Sequence, residues 1–137
     1  MEWKCITPER GDIIRTKVCF YCHYGIFISE DEVIQFGLPG DPGRAASEID
    51  VLSSDIYAFL GGGELEVGKP TREEAKKMRS REEIIKTARE RIGEGGYDIL
   101  HNNCEHFVNS CAFGESNSAF VDNVREEIRR KLAMKRR

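Results

Sequence analysis

Aromatic side chains, histidine and long apolar runs are all scarce in this 137-residue chain. Hydrophobic residues make up 39% and aromatic ones 9%, against 33% charged. No stretch approaches the ~18 consecutive apolar residues of a membrane span. The most apolar segment, VCFYCHYGIFI, is shorter than that and holds a histidine. The opening residues, MEWKCITPERGD, lack the apolar centre of a secretory signal peptide. The expectation is a soluble cytoplasmic protein whose thiols stay reduced. Five cysteines, at 5, 19, 22, 104 and 111, are an odd number and do not suit a disulfide framework. Neither an internal repeat nor a long low-complexity linker is present. The length is that of a single domain with one modest core.

The net charge of −3 conceals an uneven distribution. Residues 119–137 carry seven Lys/Arg against three Asp/Glu, and most of that positive charge lies in RRKLAMKRR. No nucleic-acid partner is expected.

Pro8 and Gly11 bracket a turn, after which DIIRTKVCF is rich in β-formers. HYGIFI and VIQFG flank the polar SEDE and predict a hairpin. LPGDPGR predicts a loop. IDVLSSDIYAFLGGG is compatible with strand or helix at its start and is ended by glycines. Thr71 with Glu74 and Ser80 with Glu83 are capping-box pairs, each opening a helix. In the second helix Ile84, Ile85, Ala88 and Ile92 recur at helical spacing, with Gly93 as the stop. YDIL predicts a short strand. Asn103 then caps a helix that begins at Cys104, runs through Phe107, Val108 and Cys111, and ends at Gly114. Phe120, Val121, Val124, Ile128 and Leu132 mark one face of a basic C-terminal helix.

The segment HNNCEHFVN poses the functional question. Cys104 in the first turn of a capped helix meets unpaired backbone N–H groups and the positive end of the dipole. Both favour a thiolate, so a lowered thiol pKa is expected, and the same N–H groups suit an oxyanion. A small buried thiol is the equally available structural reading. A nucleophilic cysteine needs a base. His101 and His106 are near in sequence, but His23, held on a strand, is the better candidate because Cys–His pairs usually join distant segments. Gln35, on the adjacent extended segment, could accept from His23 and fix its tautomer, as asparagine does in papain-like enzymes. Two metal readings compete. CFYCH at 19–23 matches the haem-attachment pattern, but it lies in a strand-like segment. Cys19, Cys22, Cys104 and His106 have zinc-compatible donors, yet only the first pair is spaced as a knuckle. No metal or other cofactor is expected.

NCEHFVN at 103–109, EEIIKTARERIGEGGYDILHN before it, RGDIIRT with HYGIFI near the N-terminus, and FGESNSAFVDNV after it together resemble the lecithin retinol acyltransferase-like family. That family includes small phospholipase/acyltransferases. The likeness covers roughly residues 8–125. It implies an α+β, circularly permuted papain-like fold of the NlpC type, with an antiparallel sheet packed on the helix that carries the cysteine. It implies Cys104 as nucleophile and His23 as base. The third position, histidine in the mammalian enzymes, is Gln35 here. Asn103 and Tyr21 are implied as oxyanion or packing support. The implied activity takes an acyl group from a phospholipid ester onto Cys104 and passes it to water, an amine or an alcohol. An NlpC-type amidase or peptidase, and a non-enzymatic interaction protein keeping the fold, are the alternatives. Residues 1–118 would form the catalytic domain. Residues 119–137 would form an amphipathic basic helix, able at most to touch an anionic membrane surface, where many mammalian members carry a hydrophobic anchor.

Overall fold

A computed structural model of the chain describes residues 1–18, 21–40, 44–99, 102–114 and 119–135, with the side chains of 18, 119–125 and 135 outside that description. Cys19, His101 and the apolar side chains at 120, 121 and 124 therefore lie outside the described set.

Six strands form one antiparallel sheet: β1 (Glu2–Lys4), β2 (Ile13–Val18), β3 (Tyr21–Ser29), β4 (Glu32–Phe36), β5 (Val51–Ser54) and β6 (Leu65–Lys69), in the order β1-β6-β2-β3-β4-β5. Five α-helices accompany them among the described residues: α1 (Ile56–Leu60), α2 (Arg72–Lys77), α3 (Arg81–Glu90), α4 (Cys104–Phe113) and α5 (Ala119–Lys135). The α+β class and the sheet-on-helix arrangement match the expectation. None of these described helices is long and apolar enough to cross a membrane.

Strand alternation assigns the two faces. Tyr24, Ile26 and Ile28 of β3 and Ile34 and Phe36 of β4 meet α3 through Ile84, Ile85 and Ala88. They meet α4 through Phe107, Val108, Cys111 and Ala112. On the opposite face Ile14, Phe27, Val33 and Val67 meet Ile56 and Phe59 of α1. Gly25 is what allows α1 so close, because a Cβ there would stand 2.7 Å from the Phe59 ring.

The β3–β4 ladder runs from Ser29 opposite Glu32 to Gly25 opposite Gln35, and there it ends. Tyr21 to Tyr24 continue paired with β2, as far as Tyr21 opposite Val18. Phe36 continues paired with Val51 of β5. The two central strands therefore part company just past Gly25 and Gln35, leaving a fork in the middle of the sheet.

Several local expectations hold and several need correction. The SEDE hairpin forms, with Glu30 and Asp31 as its turn. IDVLSSDIYAFLGGG divides into β5 and α1, and Gly61 at φ +57 ends the helix. Thr71 and Glu74 make both halves of a capping box on α2. Ser80 accepts from Glu83 N–H, but Glu83 returns to the Ser80 hydroxyl rather than to the backbone, so that box is half made. Ile92 lies beyond α3, 45% exposed, because the chain has already turned. Tyr97 to Ile99, the described part of YDIL, do not form a strand. Asp98 and Asn102 bond each other reciprocally in an isolated bridge, folding the segment onto itself, while Tyr97 turns inward to meet Phe36 edge-on. Strands β1 and β6 had no clear sequence pattern and owe their place to pairing with each other and with β2.

Phe107, 0% exposed, joins α4 to the sheet through an edge contact with Phe36. Phe107→Ala is expected to cost about 3–5 kcal/mol, a large share of a single domain's stability. Urea unfolding should show a lowered midpoint at unchanged slope.

Candidate active site

Local chemistry fixes the start of α4. Asn103 stays extended, and its Oδ1 accepts from the N–H groups of Glu105 and His106, both at 3.0 Å. His106 returns Nδ1 to the Asn103 N–H at 2.9 Å, completing a capping box with an imidazole in the place usual for Glu or Gln. The Asn103 amide also donates to the Ile99 carbonyl at 2.9 Å, tying the cap to the preceding loop. Gly114, at φ +75, closes the other end. Cys104 is thereby placed in the first helical turn, as expected, and it is 6% exposed.

The Cys104 sulfur draws backbone hydrogen bonds from Tyr24 on β3, from its own residue and from Glu105. Tyr24 lies on the stretch of β3 beyond the last pair with β4. The thiol thus sits at the fork, on a strand residue adjacent to His23. The lowered thiol pKa expected from the helix start is not what the structure gives. Burial is the largest influence and pushes the Cys104 thiol up to about 12, the N–H donors offsetting only part of it. The helix start still favours the thiolate, but burial of the sulfur outweighs it.

On the other face of the fork stands His23, 2% exposed, with Nε2 2.7 Å from Gln35 Oε1. Gln35, 0% exposed, donates from Nε2 to Ser54 Oγ at 2.6 Å, and Ser54 donates to the Asp55 carbonyl at 2.9 Å. Gln35 faces Leu52 across the β4–β5 ladder and Ser54 faces Val33, so the two polar residues are diagonal neighbours on one face. The Phe59 ring lies 5.3 Å from the imidazole, tilted by 35°. Asp55 caps α1 by accepting from Ala58 N–H at 2.8 Å, which fixes the helix that carries Phe59.

Of the predicted site residues, the structure brings His23 and Gln35 into direct contact. Cys104 comes to the backbone of Tyr24, next along the strand, and its described hydrogen bonds come from backbone N–H groups. Asn103 caps the helix beneath the thiol. The Tyr21 hydroxyl accepts from Gly40 N–H at 2.9 Å, tying the start of β3 to the loop after β4. Ser54 and Phe59 were not singled out from the sequence. The local cue was SSD before IYAFL: with Asp55 as helix cap, Ser54 becomes the last strand residue. Among the described residues no three His, Cys, Asp or Glu side chains are grouped as metal ligands. Of the four proposed zinc donors, Cys19 lies outside those residues.

The raised thiol has a consequence for stability. A Cys104 pKa of about 12, against an ordinary value of 9.0, means the folded chain holds a proton that the unfolded chain releases first. That contribution is complete below pH ~9 and is lost as pH rises toward the folded value. Cys111, buried and pushed up to about 11, acts the same way. Denaturation followed from pH 8 to 10.5 should show wild type losing stability more steeply than Cys104→Ala. Parallel slopes would mean that the thiol is not desolvated in solution.

The family model described as lecithin retinol acyltransferase matches residues 6–117. A bovine lecithin retinol acyltransferase is 27% identical over 88% of this chain and 61% of its own length. The human protein of that name is 26% identical with the same coverage. Human phospholipase A and acyltransferase 4 is 30% identical over 88% of this chain and 79% of its own. The chain thus spans about three-fifths of the lecithin retinol acyltransferases it matches. The matched region takes in β2 to β4 and the whole of α4, the elements that build the fork, and the chain belongs to the lecithin retinol acyltransferase family.

Proposed function

We propose that the chain is a thiol acyltransferase of phospholipase type, with Cys104 as nucleophile, His23 as base and Gln35 as the group that orients the base. The observation that carries this reading is the fork. A helix-start thiol is seated on the backbone N–H of Tyr24, the strand residue that follows His23, and the His23 imidazole is bonded through Nε2 to an amide. The names of the relatives supply the substrate class, an acyl ester of a phospholipid. The order of base, amide and nucleophile along the chain is the one a circularly permuted papain-like fold would have.

The chemistry follows from the raised thiol. At rest Cys104 is a neutral thiol, and its proton moves during attack rather than before it. His23 accepts the Cys104 proton as the sulfur bonds to the ester carbon, and the carbonyl π electrons move onto oxygen. The N–H groups around the sulfur donate to that oxyanion. Its collapse expels the alcohol, which takes the proton from His23, and leaves a Cys104 thioester. Water, an amine or an alcohol then attacks the thioester, gives its proton to His23, and restores the thiol as the acyl product leaves.

Incubation with phosphatidylcholine vesicles followed by intact-mass measurement should show one acyl chain on wild type and none on Cys104→Ala. Turnover in His23→Ala should fall by about 10³-fold or more, and in Gln35→Ala by about 10- to 100-fold, since nucleophile and oxyanion donors remain. Gln35→His should stay active, because histidine is the residue the family resemblance implies there. An adduct formed only with amide or peptide substrates would replace the ester reading with a hydrolase of the NlpC type.

The same proposal gives α5 a place outside the catalytic unit of residues 1–118. Ile128 and Leu132, 53% and 52% exposed, lie one turn apart beside Arg129, Arg130 and Lys131. An apolar edge flanked by cations fits an anionic lipid surface, where acyl esters are found. Cosedimentation with phosphatidylserine vesicles should be strong at low salt, weak at high salt, and reduced in Ile128→Ser/Leu132→Ser. Equal recovery with phosphatidylcholine alone would exclude a charge-directed contact.

A further inference from the structure

We propose that Ser54 is a positioning residue for the base: its hydroxyl sets which end of the Gln35 amide faces His23, and through that sets the imidazole tautomer. The proposal deepens the acyl-transfer reading and rests on it for its catalytic meaning. Its physical content, the tautomer, can be measured without any acyl substrate.

The amide of Gln35 has a donating and an accepting end, and the imidazole can meet either. Facing the oxygen, His23 Nε2 carries the proton, and Nδ1 is the basic nitrogen able to receive one from a thiol. Facing the NH₂, His23 Nε2 must be the acceptor, and the neutral ring carries its proton on Nδ1. Only the first arrangement leaves a base of the right form. The distance of 2.7 Å between Nε2 and Oε1 does not by itself choose between the two, since the ends of an amide have nearly the same shape.

Ser54 makes the choice. Its hydroxyl has one proton, and the Asp55 carbonyl 2.9 Å away accepts it. With that proton committed, Ser54 Oγ can only accept from Gln35, 2.6 Å away, so the NH₂ end of the amide is drawn toward Ser54. The oxygen end is then left for His23. In the reversed state the serine proton would have to turn to Gln35, and the bond to the Asp55 carbonyl would be lost. The native polarity therefore keeps three hydrogen bonds in series where the reversed one keeps two, in a site where Gln35 has no contact with water. Asp55 is a fixed reference for this polarity. Its carbonyl also takes the Phe59 N–H at 3.3 Å, and its side chain caps α1.

The direct readout is long-range ¹H–¹⁵N correlation on the full chain with ¹⁵N-labelled histidine, the His23 signals being identified by their loss in His23→Gln. At pH 8 wild type should show a single neutral tautomer protonated at Nε2. Ser54→Ala and the isosteric pair Ser54→Thr and Ser54→Val separate the hydroxyl from the space it fills. Threonine should keep the Nε2–H form, whereas alanine and valine should give a mixture containing Nδ1–H. In Gln35→Glu the two carboxylate oxygens are equivalent acceptors, so Ser54→Ala added to that background should leave the tautomer unchanged. Alkylation of Cys104 by iodoacetamide near neutral pH should slow by about 2- to 10-fold in Ser54→Ala, the size expected for one hydrogen bond. In the Gln35→Glu background the same change should have little effect. A single Nε2–H tautomer in both Ser54→Ala and Ser54→Val would overturn the proposal. So would an effect of Ser54→Ala as large in the Gln35→Glu background as in wild type. If no acyl-enzyme forms in wild type while the tautomer responds as stated, the acyl-transfer reading fails and the orienting role stands.

Discussion

The hydrogen bond between His23 and Gln35 is the constraint on which the centre of this sheet depends. Two polar side chains without appreciable water contact occupy neighbouring strands where apolar residues would pack more simply. Left unpaired, either would cost about 1–3 kcal/mol. Paired, they hold β3 and β4 together at the last step before the strands separate. The fork is therefore bounded by the same bond that orients the imidazole, and the thiol at the start of α4 meets the Tyr24 backbone just past it. Fold and site share one set of contacts here, so a change in Gln35 is felt in both.

The thiol illustrates how two correct physical effects combine into an unexpected sum. A helix start, with its free N–H groups, favours a negative sulfur. A dry interior opposes it, and at Cys104 the interior prevails. The outcome is a thiol that rests uncharged within the fold. It also limits unwanted oxidation, since the thiolate is the reactive form. Tyr24 contributes through its backbone rather than its phenol, because the missing β4 partner leaves its N–H directed at the sulfur.

What was legible in the sequence was largely what is decided within a few residues. The Asn103 cap, the Thr71 box, the SEDE hairpin and the Gly114 stop each depend on neighbours along the chain. The pairing of His23 with Gln35 and the place of Cys104 at a helix start were legible because their motifs are distinctive together. Hidden features were those fixed across the sheet. Strands β1 and β6 exist because they pair, and neither has a strong pattern of its own. Burial of Cys104 follows from how α4 meets β3, which no local window contains. Ser54 reads as one more polar residue in SSD until its diagonal position relative to Gln35 is known. Tyr97 and Ile99 misled for the opposite reason, since their β-preference is overruled by the reciprocal Asp98–Asn102 closure.

Helix α1 has five residues, too few to persist alone, and it is kept by its Asp55 cap and by Phe59 lying over Gly25. Yet it supplies the ring against His23, and the carbonyl of its cap residue anchors the Ser54 hydroxyl. Local melting of this one turn would release both supports of the imidazole while leaving the core on the α4 face intact. On heating, the surroundings of the His23 ring are thus held by one short turn rather than by the core on the α4 face, and they are expected to open before global unfolding.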